Sequence, residues 1–217
     1  MVQLSNGSSG LPRRGRGDIS VFPGNILNHP LQFDSPDEWL EAVLNNFDEF
    51  LIDHAANEKK ASAVALSMVS HYPDKPALVL AMVDLALEEL NHYRQVLKLM
   101  LSKGLVSVPD EKDPYVNAII AKIRRGPDYY FIDRLLSAAV IEARGAERFN
   151  LLGGTLEDPA LASFYKSLAR SEQKHQKLFI ELAREYFTDQ EVEARWQQWL
   201  QIEASVIKSL PIRPRLH

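Results

Sequence analysis

The sequence has 217 residues, 46% hydrophobic and 25% charged, with a formal net charge of −4 and no cysteine. That length fits one domain with a sizeable core, and the weak negative charge excludes a uniformly basic nucleic-acid binder while leaving room for local basic patches. Without cysteine there are no disulfides, iron–sulfur clusters or zinc ribbons, so any metal must sit on carboxylates and imidazoles.

No uncharged apolar run reaches the roughly 18 residues of a membrane span, and no signal-peptide pattern opens the chain, so a cytoplasmic protein with no membrane association is expected. Residues 1–30 are rich in Gly, Ser, Pro and Arg, lack hydrophobic periodicity and read as a mobile N-terminal arm. The domain proper is expected over residues 31–217. Ser35, Pro36 and Glu38 form the pattern of a capping box opening a long helix that runs to about Val69, with Trp39, Val43, Phe47, Phe50 and Leu51 at helical spacing. His71 to Pro76 breaks it. A second long helix is predicted over 76–102, stopped by Lys103-Gly104. A long link follows, carrying a short helix from Pro114 to Arg125 that Gly126-Pro127 ends. The third long helix is predicted over 128–152, ending at Gly153-Gly154, and Asp158-Pro159 opens a fourth that reaches about Phe187. Thr188 and Glu191 suit a capping box for a last helix over 189–209. No strand pattern appears. The short first and third links predict two antiparallel hairpins, and the long middle link predicts one crossover. The fold class is therefore all-α, a ferritin-like four-helix bundle with one long crossover and extra short helices.

Glu89 and His92 form a Glu-x-x-His pair on the second long helix, and Glu172 and His175 repeat it on the fourth. Either pair alone reads as surface polarity. The first and third long helices add Glu58 and Glu142, at spacings of 31 and 30 residues from the acid of the following helix. Counted from the turn of each hairpin, all four acids fall at one level, about 21 to 24 Å along the helices. Each interrupts an apolar or small-residue stripe, for example Leu135, Ala138, Ala139, Gly145 and Ala146 around Glu142. Buried carboxylates with no Lys or Arg on their stripes require cations. One Glu from each of two helices plus Glu-x-x-His from each of the other two is the di-iron or di-manganese set of ferritin-like proteins, and the oxygen-rich two-metal cage favours iron over zinc. The predicted metal ligands are Glu58, Glu89, His92, Glu142, Glu172 and His175, with no separate acid or base catalyst. His54 stands as either an outer support of the site or a core histidine. Tyr93 and Tyr165 line the inner stripes, for packing or for hydrogen bonding. Glu147, rotated about 140° from Glu142 at helical period, is expected to meet an arginine or solvent, and Glu88 is expected to face solvent. The site alone permits hydroxylation (of a quinone or another small molecule, for instance), desaturation, peroxide reduction, and iron oxidation and storage.

The stretches FLIDHAANEKKASAVALSMV, ALEELNHYRQVLKLM, VIEARGAERFNLL and LARSEQKHQKLFIELA, with the closing LPIRPRLH, resemble the bacterial MiaE family of tRNA hydroxylases, from about residue 31 to the end. The resemblance implies a monooxygenase that hydroxylates the isopentenyl group of a hypermodified adenosine next to the tRNA anticodon. It further implies two iron ions, O2 as co-substrate, and an external electron donor reached through a redox partner. Basic clusters at Lys122, Arg124 and Arg125, and at Lys208, Arg213 and Arg215, suit either RNA phosphates or a solvated face. Tyr129, Tyr130 and Phe131 suit either base stacking or core packing.

Overall fold

The structure, a computed structural model, describes residues 29–217, so the expected arm over residues 1–30 lies outside the described residues apart from its last two. Seven helices follow in order: α1 Asp37–Asn45, α2 Phe47–His71, α3 Pro76–Ser102, α4 Pro114–Ile120, α5 Pro127–Thr155, α6 Pro159–Tyr186 and α7 Asp189–Ser209. Among the described residues there is no strand, and no helix is long and apolar enough to cross a membrane. Helices α2 and α3 form one hairpin, α5 and α6 the other, and the two face each other as a ferritin-like bundle. The crossover carries α4, which packs on α5 and α7.

Local chemistry explains most boundaries. Asp158 caps α6 by accepting from Ala160 and Leu161 N–H, and Thr188 with Glu191 forms the expected capping box of α7. Gly126, before α5, has φ 109°, a backbone conformation that favours glycine.

Four boundaries depart from expectation, the simplest being α4, which stops at Ile120 short of Arg125 because the Lys122 and Ile123 N–H groups turn back to Ile119 and Ile120 carbonyls in tighter i→i−3 bonds. The first long helix is two helices, because Asn46 Nδ2 donates to Ala42 O at 2.9 Å and occupies the carbonyl its own backbone would use. The Asn46 N–H turns to Val43 O instead, and the redirected α1 lays Trp39 edge-on to Phe50. Ser35 does not cap α1. Its N–H and Oγ both donate to the buried Glu147 carboxylate at 2.8 Å, and this charge-assisted pair outcompetes a helix cap. Gly153 and Gly154 do not end the third long helix but lie inside α5. A Cβ at Gly153 would stand 2.9 Å from Lys166 N on α6, so this glycine permits close approach of the two helices beside their turn.

Buried ion pairs hold α7 to α5, and the same arginine network reaches the segment before α1. Arg144 Nε and Nη2 clasp the Glu203 carboxylate of α7 at 2.8 and 3.0 Å, Nη1 meets Glu147 at 3.0 Å, and Nη2 also reaches Phe33 O. Arg195 clasps Asp133 at 2.7 and 2.8 Å. Removing one member of such a pair costs about 3–5 kcal/mol, because its partner stays buried and charged.

The two adjacent glycines of α5 separate packing from helix propensity. Gly153→Ala should lower stability by about 1–3 kcal/mol through overpacking, whereas Gly154→Ala, with nothing within 4 Å of its added Cβ, should leave stability unchanged or raise it by up to about 1 kcal/mol. Urea unfolding followed by circular dichroism reads both.

Candidate metal centre

At mid-depth the bundle interior is lined by acids from all four long helices: Glu58 on α2, Glu89 on α3, Glu142 on α5 and Glu172 on α6. Glu58, Glu89 and Glu172 are buried, and Glu142 is half-buried with its side chain 14% exposed. Gly145 lies one turn from Glu142, and an added Cβ there would touch the Glu172 side chain. The helix stripes thus bring their small residues to the level of the acids. Among the described residues no lysine or arginine nitrogen lies within 4 Å of any of the four.

The six groups fall into two overlapping sets. Glu58, Glu89, His92 and Glu172 can offer ligand atoms all within 4.8 Å of one another, as can Glu89, Glu142, Glu172 and His175. Both imidazoles turn Nδ1 inward. His92 Nδ1 lies 3.3 Å from Glu89, 3.6 Å from Glu58 and 3.8 Å from Glu172, while His175 Nδ1 lies 2.9 Å from Glu89, 3.3 Å from Glu172 and 3.9 Å from Glu142. Glu89 and Glu172 belong to both sets, the position a bridging carboxylate needs.

The electrostatics call for cations. Burial, and then the negative charge of Glu172, push Glu142 well above the usual carboxylate range. Burial and the charge of Glu89 do the same to Glu172. Glu89 Oε1 and Glu172 Oε1 are buried with no well-directed hydrogen-bond donor. Two divalent ions would neutralise this surplus and use those lone pairs, so the donor set, oxygen-rich with one imidazole per position, fits a pair of iron ions.

The structure brings all six sequence-predicted ligands together. His54 is buried with Nε2 2.7 Å from Glu58 Oε1 and Nδ1 3.3 Å from the Tyr165 hydroxyl. Burial raises the Glu58 pKa, but the hydrogen bond from His54 and the nearby His92 imidazole outweigh it and hold that carboxyl well below its ordinary value. Tyr165 therefore supports the site through His54. Tyr93 packs among Leu51, Ala55, Val96 and Met100. Glu147 lies outside the acid cluster, bound to Ser35 and Arg144.

Glu88 corrects the expectation that it faces only solvent. Its side chain is 47% exposed, yet Oε2 lies 3.3 Å from His175 Nε2 and Oε1 accepts from Ser171 Oγ at 2.5 Å. Glu88 and Ser171 each precede the acid of a Glu-x-x-His pair by one residue, and that repeat is the sequence signal that could have found them. Of the basic residues, Arg124 is committed to Asp133 and Arg215 to Glu49, while Lys122 and Arg125 are exposed and Arg213 is half-buried. Tyr129 is exposed beneath the Arg124 guanidinium, whereas Phe131 is core.

Comparison with known proteins gives the family and supports the fold. Residues 25–217 match the family of tRNA-(MS[2]IO[6]A)-hydroxylase (MiaE). A Pseudomonas putida protein, tRNA 2-(methylsulfanyl)-N(6)-isopentenyladenosine(37) hydroxylase, is 38% identical over 152 residues, covering 70% of this chain and 74% of that protein. The Salmonella typhimurium protein of the same name is 32% identical over 165 residues, covering 76% of this chain and 60% of that one. Among solved structures, a Synechococcus protein with aldehyde deformylating oxygenase activity superposes with a TM-score of 0.81 at 32% identity, over 86% of this chain and 94% of that chain.

Metal uptake should release protons. Burial lowers the pKa of both imidazoles, but the adjacent Glu58 and Glu89 carboxylates raise His92 to about 9, and the adjacent Glu89 and Glu142 carboxylates raise His175 to about 9. Each imidazole is thus protonated at pH 7 before an ion binds. An ion needs the Nδ1 lone pairs, so affinity should climb with pH up to about 9, and calorimetry of Fe2+ binding in buffers of different ionisation enthalpy should record proton release at pH 7. In the same titration Glu88→Gln, which removes the charge behind His175, should weaken one of two ions by about tenfold or more.

Proposed function

The chain belongs to the MiaE family of tRNA hydroxylases, and from that premise we propose that it inserts oxygen into the isopentenyl group of a hypermodified adenosine beside the anticodon, at two iron ions held by Glu58, Glu89, His92, Glu142, Glu172 and His175. It is an oxidoreductase acting on tRNA, and the finer assignment rests on the shape of the cavity beside the acids. A cavity of about 390 Å³ between α2 and α5 runs from the surface to Glu58, Glu89, Glu142 and Glu172. Ala61, Val64, Ala65, Ala138, Ile141 and Phe179 line it, while Lys60, Lys112 and Asn117 join the polar part of its wall. An apolar tunnel with a polar portion suits a branched hydrocarbon chain carried on a polar nucleotide, which is the single observation that carries this reading.

Bound iron would supply O2 activation: one oxygen atom enters the C–H bond and the other leaves as water, with two electrons from an external donor and two protons from solvent. The protein's part is positioning and exclusion of water. Glu89 and Glu172, shared by both sets, would fix the spacing of the two positions. His54, hydrogen-bonded to Tyr165, orients the Glu58 carboxylate, and the side chains of Ala138 and Ile141 press a terminal methyl toward the acids. An electron-donating redox partner and a cytoplasmic setting complete the proposal.

Iron-loaded, reduced protein given O2 and tRNA from a strain lacking this hydroxylation should yield the hydroxylated nucleoside, and its absence overturns the proposal. Ala138→Phe, which fills the cavity, should cut kcat/KM by about a hundredfold while two irons are retained. Glu89→Ala with Glu172→Ala should lose the iron itself.

A further inference from the structure

A second cavity, of about 240 Å³, adjoins the first, with His217 in the wall of both. Arg148, Lys208 and Arg213 line it, and no acidic side chain does. Among the described residues none of these three cations has a carboxylate oxygen within 4 Å. Arg148 is the anomaly. It is 4% exposed, whereas the other buried arginines, Arg144 and Arg195, each clasp a carboxylate. Its Nε donates to Ser35 Oγ at 3.0 Å and Nη1 to Leu216 O at 2.8 Å, its face lies 4.4 Å over the Trp39 ring, and Nη2 makes no hydrogen bond among the described residues. Burial and then the charge of Arg144 pull its pKa down to about 10. A buried guanidinium with neutral partners alone is costly, and a bound anion would relieve that cost.

We propose that this cavity binds a phosphate of the RNA backbone, with Arg148 as the fixed donor and Lys208 and Arg213 closing on it from α7 and the segment after it. The choice of RNA as the source of the phosphate rests on the tRNA reading; the anion site itself does not. An arginine fork and a lysine point charge match a phosphodiester. His217 stands between the two cavities, stacked on Tyr115 at 5.0 Å and held by Asp113 at 3.2 Å. A nucleotide could thus put its N6 substituent into one cavity and a phosphate into the other. Lys208 and Arg213 of the basic cluster near the end of the sequence line this cavity, and Arg215 drops out because Glu49 already neutralises it.

The test uses the iron-loaded chain and the double variant Lys208→Ala/Arg213→Ala, which leaves the buried Arg148 bonds intact. Fluorescence anisotropy with an anticodon stem-loop over a series of salt concentrations should show Kd raised about tenfold, and a salt slope shallower by about 0.7 for one lost phosphate contact on a loop. With tRNA as substrate, KM should rise while kcat holds. With the free isopentenyladenosine nucleoside, which carries no phosphate, that penalty should vanish. A variant with the Kd and salt slope of the parent overturns the proposal. So does displacement of the stem-loop by millimolar inorganic phosphate beyond the effect of chloride at equal ionic strength, since the site would then prefer the free anion. If the parent protein hydroxylates neither substrate, the proposed reaction falls, and the binding and salt measurements, which need no turnover, still decide this site.

Discussion

Four carboxylates confined to one level of an apolar bundle, with two imidazoles and, among the described residues, no lysine or arginine within 4 Å, are the constraint around which the fold is arranged. Buried negative charge of that density is untenable without protons or cations. The protein meets it with an asymmetric pattern in which Glu58 is drawn down by two histidines while Glu142 and Glu172 are driven up. Protons and cations are alternatives for the lone pairs of such a cluster.

The rest of the fold keeps that level rigid and reachable. Small residues on α2 and α5 open a cavity to the acids, where larger side chains would have closed the bundle. Arg144 and Arg148 on α5 gather the segment before α1, the α7 helix and the segment after α7. Leu216 is pinned at both backbone groups, its N–H donating to Asp53 and its carbonyl accepting from Arg148. It and His217 thereby become walls of the cavity although they lie more than 40 residues from the last acid of the centre. Asp113 caps α4 with one oxygen and holds His217 with the other, so the crossover and the closing segment are tied at the same point.

The two halves of the centre are not equivalent. On the His175 side an exposed-edge carboxylate, Glu88, backs the imidazole. On the His92 side a buried histidine, His54, backs a carboxylate. The first adds negative charge behind an imidazole and the second withdraws it from a carboxylate, so two ions held there would differ in electron richness despite nearly identical inner donors. Ser171, which occupies the place of Glu88 in the second motif, serves as its hydrogen-bond donor.

Much of this was legible in the sequence because helical geometry is local. A rise of 1.5 Å and a turn of 100° per residue carry Glu58, Glu89, Glu142 and Glu172 to one depth and one facing once the hairpin turns are known. The long link between the second and third long helices likewise implies a crossover. Family identity came from the motifs as a set. What the sequence left undecided was the choice among partners far apart along the chain. Ser35 carried a good capping pattern, yet a carboxylate 112 residues away claimed it. Glu88 was placed outward by helical phase, yet a neighbouring helix brought His175 within reach of its flexible side chain. Gly153 looked like a helix end because glycine usually is one, and only the approach of α6 revealed it as a packing contact. Sequence by itself determined the helices, the hairpins and the level of the acids, since those depend on rise and periodicity. Tertiary structure alone decided the cavities, the unmatched charge of Arg148 and the outer supports of the centre, since those depend on which surfaces remain to be filled after the helices have packed.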